Sequence, residues 1–180
     1  KFIETKDCTD CNPAAADALI AVLEKVAANG CEKAAAFVKF CDAFGIPVLT
    51  LTNVKGYEAT VCSEKGIAKA AAKLTAAFAD ATVPKVNVVI GKAIGTAYVA
   101  MNSKALGADM VYAWPNAEIG SMDAKVAAKI MYEGQGAEVI DEEAAKYAAL
   151  QNNVASAAKR GYVDAVIEPA DTRKYVIGAF

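Results

Sequence analysis

Apolar and polar positions along the 180-residue chain change period several times, and each change marks an element. Residues 1–12 are polar and carry no period. Asn12 then precedes Pro13, an arrangement suited to an N-cap followed by a proline at the first helical position. Leu19, Val22, Leu23 and Val26 recur at helical spacing, and Asn29-Gly30 closes that stretch. A second stripe, Phe37, Phe40, Cys41 and Phe44, predicts a helix over about 32–44 that Gly45 ends. Ile46 to Thr52 is short, apolar and β-branched, which reads as a buried strand with Pro47 near its start. Asn53-Val54-Lys55-Gly56-Tyr57 follows as a loop.

A long helix is predicted over about 62–80, stopped by Asp80 to Pro84. Lys85 to Ile90 is a second buried strand. Gly91-Lys92-Ala93-Ile94-Gly95-Thr96-Ala97 then turns into a short helix reaching about Ser103. Asp109 to Trp114 is a third strand, and Ala117 to Gly120 a short fourth. Helices follow at about 123–132, 141–150 and 153–160. Gly161 to Ile167 is an extended connection, and Pro169 and Asp171 open a last helix. Strands alternating with helices predict an α/β domain with largely parallel strands covered on both faces.

Composition narrows the chemistry. The chain is 56% hydrophobic and 22% charged, with 41 alanines and no histidine. One domain with a sizeable core fits this length. Serine or cysteine nucleophiles activated by histidine are excluded, as are histidine metal sites. Nineteen basic and 21 acidic residues give a net charge of -2 without a basic run. Nucleic acid and anionic membranes are therefore not expected partners. No apolar stretch reaches the ~20 residues needed to cross a bilayer, so no direct membrane insertion is expected. The chain begins at Lys1 without a charged-then-apolar targeting segment. Five poorly spaced cysteines fit a reducing, cytoplasmic setting. Cys8-Thr-Asp-Cys11 is a single C-x-x-C, too little by itself for a metal or redox site, and no metal is expected.

Ligands in parallel sheets collect at the carboxyl ends of strands. Two segments qualify, Asn53–Tyr57 and Gly91–Ala97. At the second, Gly95, Thr96 and Ala97 would present consecutive backbone amides at a helix N-terminus. Such amides can form an oxyanion hole, which needs no titratable side chain. Tight helix–sheet packing through small residues explains the same spacing more simply, and a glycine pair in such a turn is by itself a weak signal. The turn is not a P-loop. Glu118 could serve as a base or pair locally. Lys92 could bind an anion or stay solvated. Tyr57, Tyr98 and Tyr112 could line a pocket or fill the core. Asp141-Glu142-Glu143 reads as the acidic opening of a helix.

Taken together, Phe37–Pro47, Leu51–Tyr57, Ala81–Lys85, Lys92–Tyr98 with Met101, Tyr112–Ile119 and Arg160–Pro169 resemble the carboxyltransferase subunit of biotin-dependent acyl-CoA carboxylases and the related decarboxylases. The similarity covers about 32–180 in family order and corresponds to that family's C-terminal half. It divides the chain into a leader with a helix over 1–30, not matched to the family, and a carboxyltransferase C-terminal-type domain over 31–180. The segment that should carry the half's first strands is replaced by the helical 12–30 stretch.

The resemblance implies a single crotonase-like α/β domain of ββα units. It implies carboxyl transfer to or from an acyl-CoA, with biotin delivered on a separate carrier domain. The expected partners are a CoA-binding carboxyltransferase half and a biotin carrier protein, in a homo- or hetero-oligomer. By resemblance, backbone amides stabilise a biotin enolate that acts as the base. That assigns Gly95, Thr96 and Ala97 to the oxyanion hole, and Gly56, Tyr57, Gly95 and Ala97 to the biotin cavity. The family usually has Gly-Gly-Ala where this chain has Gly95-Thr96-Ala97, and Asp-Val-Pro-Gly-Phe where it has Asn53-Val-Lys-Gly-Tyr57. Two other functions fit the same residues: a non-catalytic assembly module, and a free-standing crotonase-like hydratase or isomerase using an acid such as Glu118.

Overall fold

A computed structural model describes residues 25–26 and 28–180. Cys8, Cys11, the Asn12-Pro13 cap and the helical positions 19–23 lie outside the described residues. The chain runs β1 (Lys25–Val26), α1 (Ala28–Ala43), β2 (Val48–Val54), β3 (Gly56–Tyr57), α2 (Val61–Glu64), α3 (Ile67–Asp80) and β4 (Lys85–Ile94). It continues with α4 (Gly95–Val99), β5 (Met110–Ala113), β6 (Glu118–Gly120), α5 (Ala124–Met131) and α6 (Ala137–Tyr147). A π-helical turn (Ala148–Asn152), α7 (Val154–Lys159), β7 (Ala165–Val166) and α8 (Thr172–Ala179) complete it.

The larger sheet has the order β2-β4-β5-β7, and every pairing in it is parallel. β4 is ten residues long and serves two neighbours on one side. Its first half pairs with β5, Val86 opposite Met110, and its last residues pair with β6, Ile94 opposite Gly120. The ends of β4 and β6 thus lie side by side. β1 and β3 form a separate parallel pair, Val26 opposite Tyr57.

Each face of the sheet has its own core. Val48, Val54, Leu74, Phe78, Val89 and Val111 belong to the larger one, under α1, α3 and α4. Val86, Val88, Tyr112 and Ile167 form the smaller, against Val176 of α8. Side chains bind the strand starts in place. The backbone N–H of Lys85 donates to Asp109 Oδ2 at 2.7 Å, and that of Val111 donates to Asp164 Oδ2 at 2.7 Å. Lys85 is 6% exposed. Its ammonium donates to the carbonyls of Phe78 and Ala81, both at 2.8 Å. A buried cation there satisfies carbonyls left open at the end of α3 and meets the negative end of its dipole.

Several boundaries differ from those expected, each for a local reason. Asn29-Gly30 sits inside α1 instead of closing a helix, and Val26 lies in a strand instead of on a helical face. The expected 62–80 helix breaks at Lys65-Gly66, where Thr60 caps a separate first turn by accepting from the Ser63 N–H. Gly91 to Ile94 continue β4 instead of turning. Gly91 is glycine because a Cβ there would collide with the Asn53 carboxamide, whose Oδ1 accepts from the Lys92 N–H at 2.9 Å. Asn53 sits where the β2–β4 register slips, so its side chain replaces a ladder partner. The acidic run Asp141 to Glu143 lies in the second turn of α6, which begins at Ala137. Asp141 pairs with Lys125 at 2.7 Å, and Glu142 and Glu143 with Lys146.

Candidate functional site

The turn from β4 into α4 is made by Gly95 at φ +67°, a left-handed conformation that glycine adopts without strain. A Cβ at that position would approach the Ser121 carbonyl to 3.4 Å. The turn after β4 and the turn after β6 therefore abut. No side chain caps the first turn of α4, so its N-terminal amides carry no competing side-chain acceptor. Thr96 is exposed beside them, whereas Ala97 is 1% exposed and belongs to the larger core.

A cavity of about 410 Å³ opens at this junction. Gly95, Thr96, Gly120 and Ser121 line it, together with Arg160 and Tyr162. Tyr98 and Val99 of α4 also line it, as does Asn152 from the π turn. This volume falls within the range of small-molecule sites. Its walls are mainly apolar. The Tyr98 hydroxyl is buried without a hydrogen-bond partner, and burial pushes its pKa up to about 12. The Asn152 Oδ1 is likewise buried and unpartnered.

Of the five residues expected at the site, Gly95 and Thr96 line the cavity, while Ala97, Gly56 and Tyr57 are not among its lining residues. Tyr57 reaches the same turn from behind: its hydroxyl donates to the Thr96 carbonyl at 3.4 Å. Burial is the main cause that raises the Tyr57 pKa, with the neighbouring Cys31 adding to it. Gly56 precedes it in β3. Tyr98 lines the cavity, whereas Tyr112 lies in the smaller core, its ring edge-on to Tyr175 at 5.4 Å.

Lys92 is neither solvated alone nor open to an anion. Its ammonium lies 3.1 Å from Glu118 Oε2 and 3.8 Å from Asp123 Oδ2. Lys92 and Glu118 are register partners between β4 and β6. Asp123 at the same time caps α5 by accepting from the N–H groups of Lys125 and Val126. The triad ties the cavity's strand ends to the next helix and engages the carboxylate of Glu118. Sequence periodicity gave no sign of Asn152, which comes to the cavity from the π turn, or of Arg160 and Tyr162, which come from the turn after α7. Among the described residues, no group of three or more His, Cys, Asp or Glu side chains could hold a metal ion.

Residues 25–180 match the family described as "Carboxyl transferase domain". The chain is 46% identical over 159 residues to a putative propionyl-CoA carboxylase beta chain of Bacillus subtilis, covering 84% of this chain and 31% of that protein. It is 43% identical over 158 residues to the methylmalonyl-CoA carboxyltransferase 12S subunit of Propionibacterium freudenreichii subsp. shermanii, covering 84% and 30%. Among solved structures, a transcarboxylase 12S hexamer with methylmalonyl-coenzyme A and methylmalonic acid bound superposes with a TM-score of 0.83 at 44% identity, covering 86% of this chain and 31% of that one. The beta subunit of P. aeruginosa geranyl-CoA carboxylase gives 0.75 at 25% identity, covering 86% and 32%. The fold is crotonase-like, as the resemblance implied. The chain spans less than a third of the length of these relatives.

Proposed function

Because the chain belongs to the carboxyl transferase domain family, we propose that it is the biotin-facing half of an acyl-CoA carboxyltransferase. The observation that carries this reading is the Gly95 turn, which opens onto a mainly apolar cavity within the segment shared with the family. The fit to a biotin ring rests on two features. The cavity volume of about 410 Å³ suits a small bicyclic ring, and the uncapped first turn of α4 offers N–H donors to a ring oxygen. Biotin, on its carrier, would supply the carboxyl group and the base that a histidine-free chain lacks.

The chain's own residues bind and orient. Gly95, Thr96 and Ala97 direct backbone amides toward negative charge developing on the ring oxygen, which is worth ~3–4 kcal/mol per donor in comparable sites. Gly56 and Tyr57 buttress the turn from the β3 side, and Tyr57 fixes the Thr96 carbonyl. The apolar walls exclude water, which strengthens those interactions. The acyl-CoA is held by a separate CoA-binding half, and a biotin carrier protein delivers the ring. The assembly is oligomeric, in keeping with the hexamer of the transcarboxylase 12S relative. Among the described residues no helix is long and apolar enough to cross a membrane. A reducing, cytoplasmic setting is part of the proposal, supported by the buried free thiols of Cys31 and Cys41.

The test mixes the chain with a CoA-binding half, a carboxylated biotin carrier and acyl-CoA, and follows carboxyl transfer. Transfer that requires both additions is expected. Binding of the carrier without turnover would replace this reading with a non-catalytic assembly module. Acyl-CoA hydration or isomerisation by the chain alone would replace it with a free-standing hydratase or isomerase.

A further inference from the structure

Beneath the candidate site, four polar side chains occupy the interior where apolar ones would be ordinary. Thr50, Thr52, Asn87 and Asn102 are each 0% exposed. Thr50 and Thr52 point inward from β2 between Val48 and Val54, on the face that carries the larger core. Thr50 lies opposite Asn87 in the β2–β4 register.

Their bonds converge on one short helix. The Thr52 hydroxyl donates to Asn87 Oδ1 at 2.8 Å. Asn87 Nδ2 donates to the Met101 carbonyl at 3.3 Å, just past the end of α4. Asn102 Nδ2 donates to Thr50 Oγ1 at 3.3 Å. Beside them the Ser103 hydroxyl donates to the Val99 carbonyl at 2.9 Å. Asn102 has φ +56°, the one left-handed non-glycine residue among those described. Stopping a helix in that conformation calls for no more than glycine. Here the stop is an asparagine whose carboxamide is driven into the sheet, with its Oδ1 left unpartnered. Buried polar groups and left-handed side chains both cost stability, so this arrangement is retained against a simpler alternative.

We propose that Thr50, Thr52, Asn87 and Asn102 form a buried clamp that sets the position of α4, and with it the amides of the Gly95 turn. The five residues of α4 are too few to hold a helix by themselves. Its N-terminal end is the continuation of β4 and its C-terminal end is gripped by the clamp, so the clamp fixes its tilt. These are positioning residues, since none lines the cavity. The clamp's catalytic consequence rests on the reading of the Gly95 turn as the place where the biotin ring is held.

Two variants keep the test clear of misfolding. Thr52→Val is isosteric and removes the hydroxyl. Asn102→Gly suits the backbone conformation and removes the carboxamide. Each is assayed with the CoA-binding half and the carboxylated carrier, and by amide hydrogen exchange of the complete chain. Both are expected to lower kcat for transfer by about ten- to a hundredfold, as small misplacements of catalytic groups do. KM for acyl-CoA should stay unchanged, because the other half binds it. Exchange should quicken across residues 95–101 and not across β5, and Thr52→Ser should restore both readouts. Unchanged exchange across 95–101 in both variants would overturn the clamp, and so would equal quickening in β5. If the wild-type mixture itself shows no transfer, the functional reading falls, while the exchange data still decide the clamp.

Discussion

Asn152 can close the wall of the cavity because Gly120, its neighbour across the junction, has no side chain. A Cβ on residue 120 would run into the Asn152 carboxamide, which is 1% exposed and donates Nδ2 to the Met122 carbonyl at 3.1 Å. Gly120→Ala should therefore destabilise the fold by about 2 kcal/mol through overpacking. Asn152→Ala in the same chain should recover most of that loss. Denaturant unfolding of the two single variants and the double variant measures the coupling, and strict additivity would contradict the contact.

Thr96 and Ala97 are adjacent but face different surroundings, so bulk at each should act differently. Thr96 is exposed at the cavity. Thr96→Trp is expected to fill the cavity mouth and lower carboxyl transfer by about a hundredfold or more, with stability within about 0.5 kcal/mol of wild type. Ala97 is 1% exposed in the core. Ala97→Phe should instead cost about 1–3 kcal/mol by overpacking, visible as a fall in Tm whatever the activity.

Removing the buried ammonium of Lys85 should expose the debt it covers. Lys85→Met keeps the length and apolar stem but leaves the Phe78 and Ala81 carbonyls without their donor. A loss of about 2–3 kcal/mol in urea unfolding is expected, the range for hydrogen bonds involving a charged group. A variant as stable as wild type would show that α3 ends without needing the cation.

Alkaline pH should loosen the fold in two overlapping steps. Burial, with a smaller contribution from Glu32, raises the Cys31 pKa from 9.0 to about 11. Burial raises that of Tyr98 from 10.0 to about 12. In both cases the folded state favours the protonated form. Stability is therefore fully present below pH 9, falls as the unfolded thiol ionises between pH 9 and 11, and falls further as the unfolded tyrosine ionises between pH 10 and 12. A Tm series from neutral to alkaline pH checks this. Tyr98→Phe should flatten the upper part of the curve and leave stability at pH 7 equal or higher, because it deletes a buried hydroxyl that has no partner.

Much of this was readable from residue order, and the gaps have physical causes. The apolar, β-branched runs of β2 and β4 announced their strands, and the expected helix at about 123–132 is found as α5. Gly95 stood out because a glycine between a buried strand and a helix suits a turn that exposes backbone amides. Gly91 misled for the same reason: its purpose is to admit the Asn53 side chain, a contact across 38 residues that no local pattern encodes. The buried clamp was hidden because Thr50 and Thr52 are good strand formers on either face. Asn152 reaches the cavity from a π turn, an offset that a pattern read at ordinary helical spacing does not anticipate, and Arg160 and Tyr162 reach it from the turn that follows α7.

The double partnership of β4 has a consequence for how the molecule opens. Its first half is held between β2 and β5, while its last residues lie between the end of β2, Val54 opposite Ala93, and the three-residue β6. An excursion that frees β6 and the helices after it would dismantle the cavity and leave β2, β4 and β5 paired. The site then belongs to a lower-energy unit of opening than the sheet that supports it. Conditions milder than those that melt the domain are then expected to silence it, and partner binding across the cavity would raise that threshold by mass action.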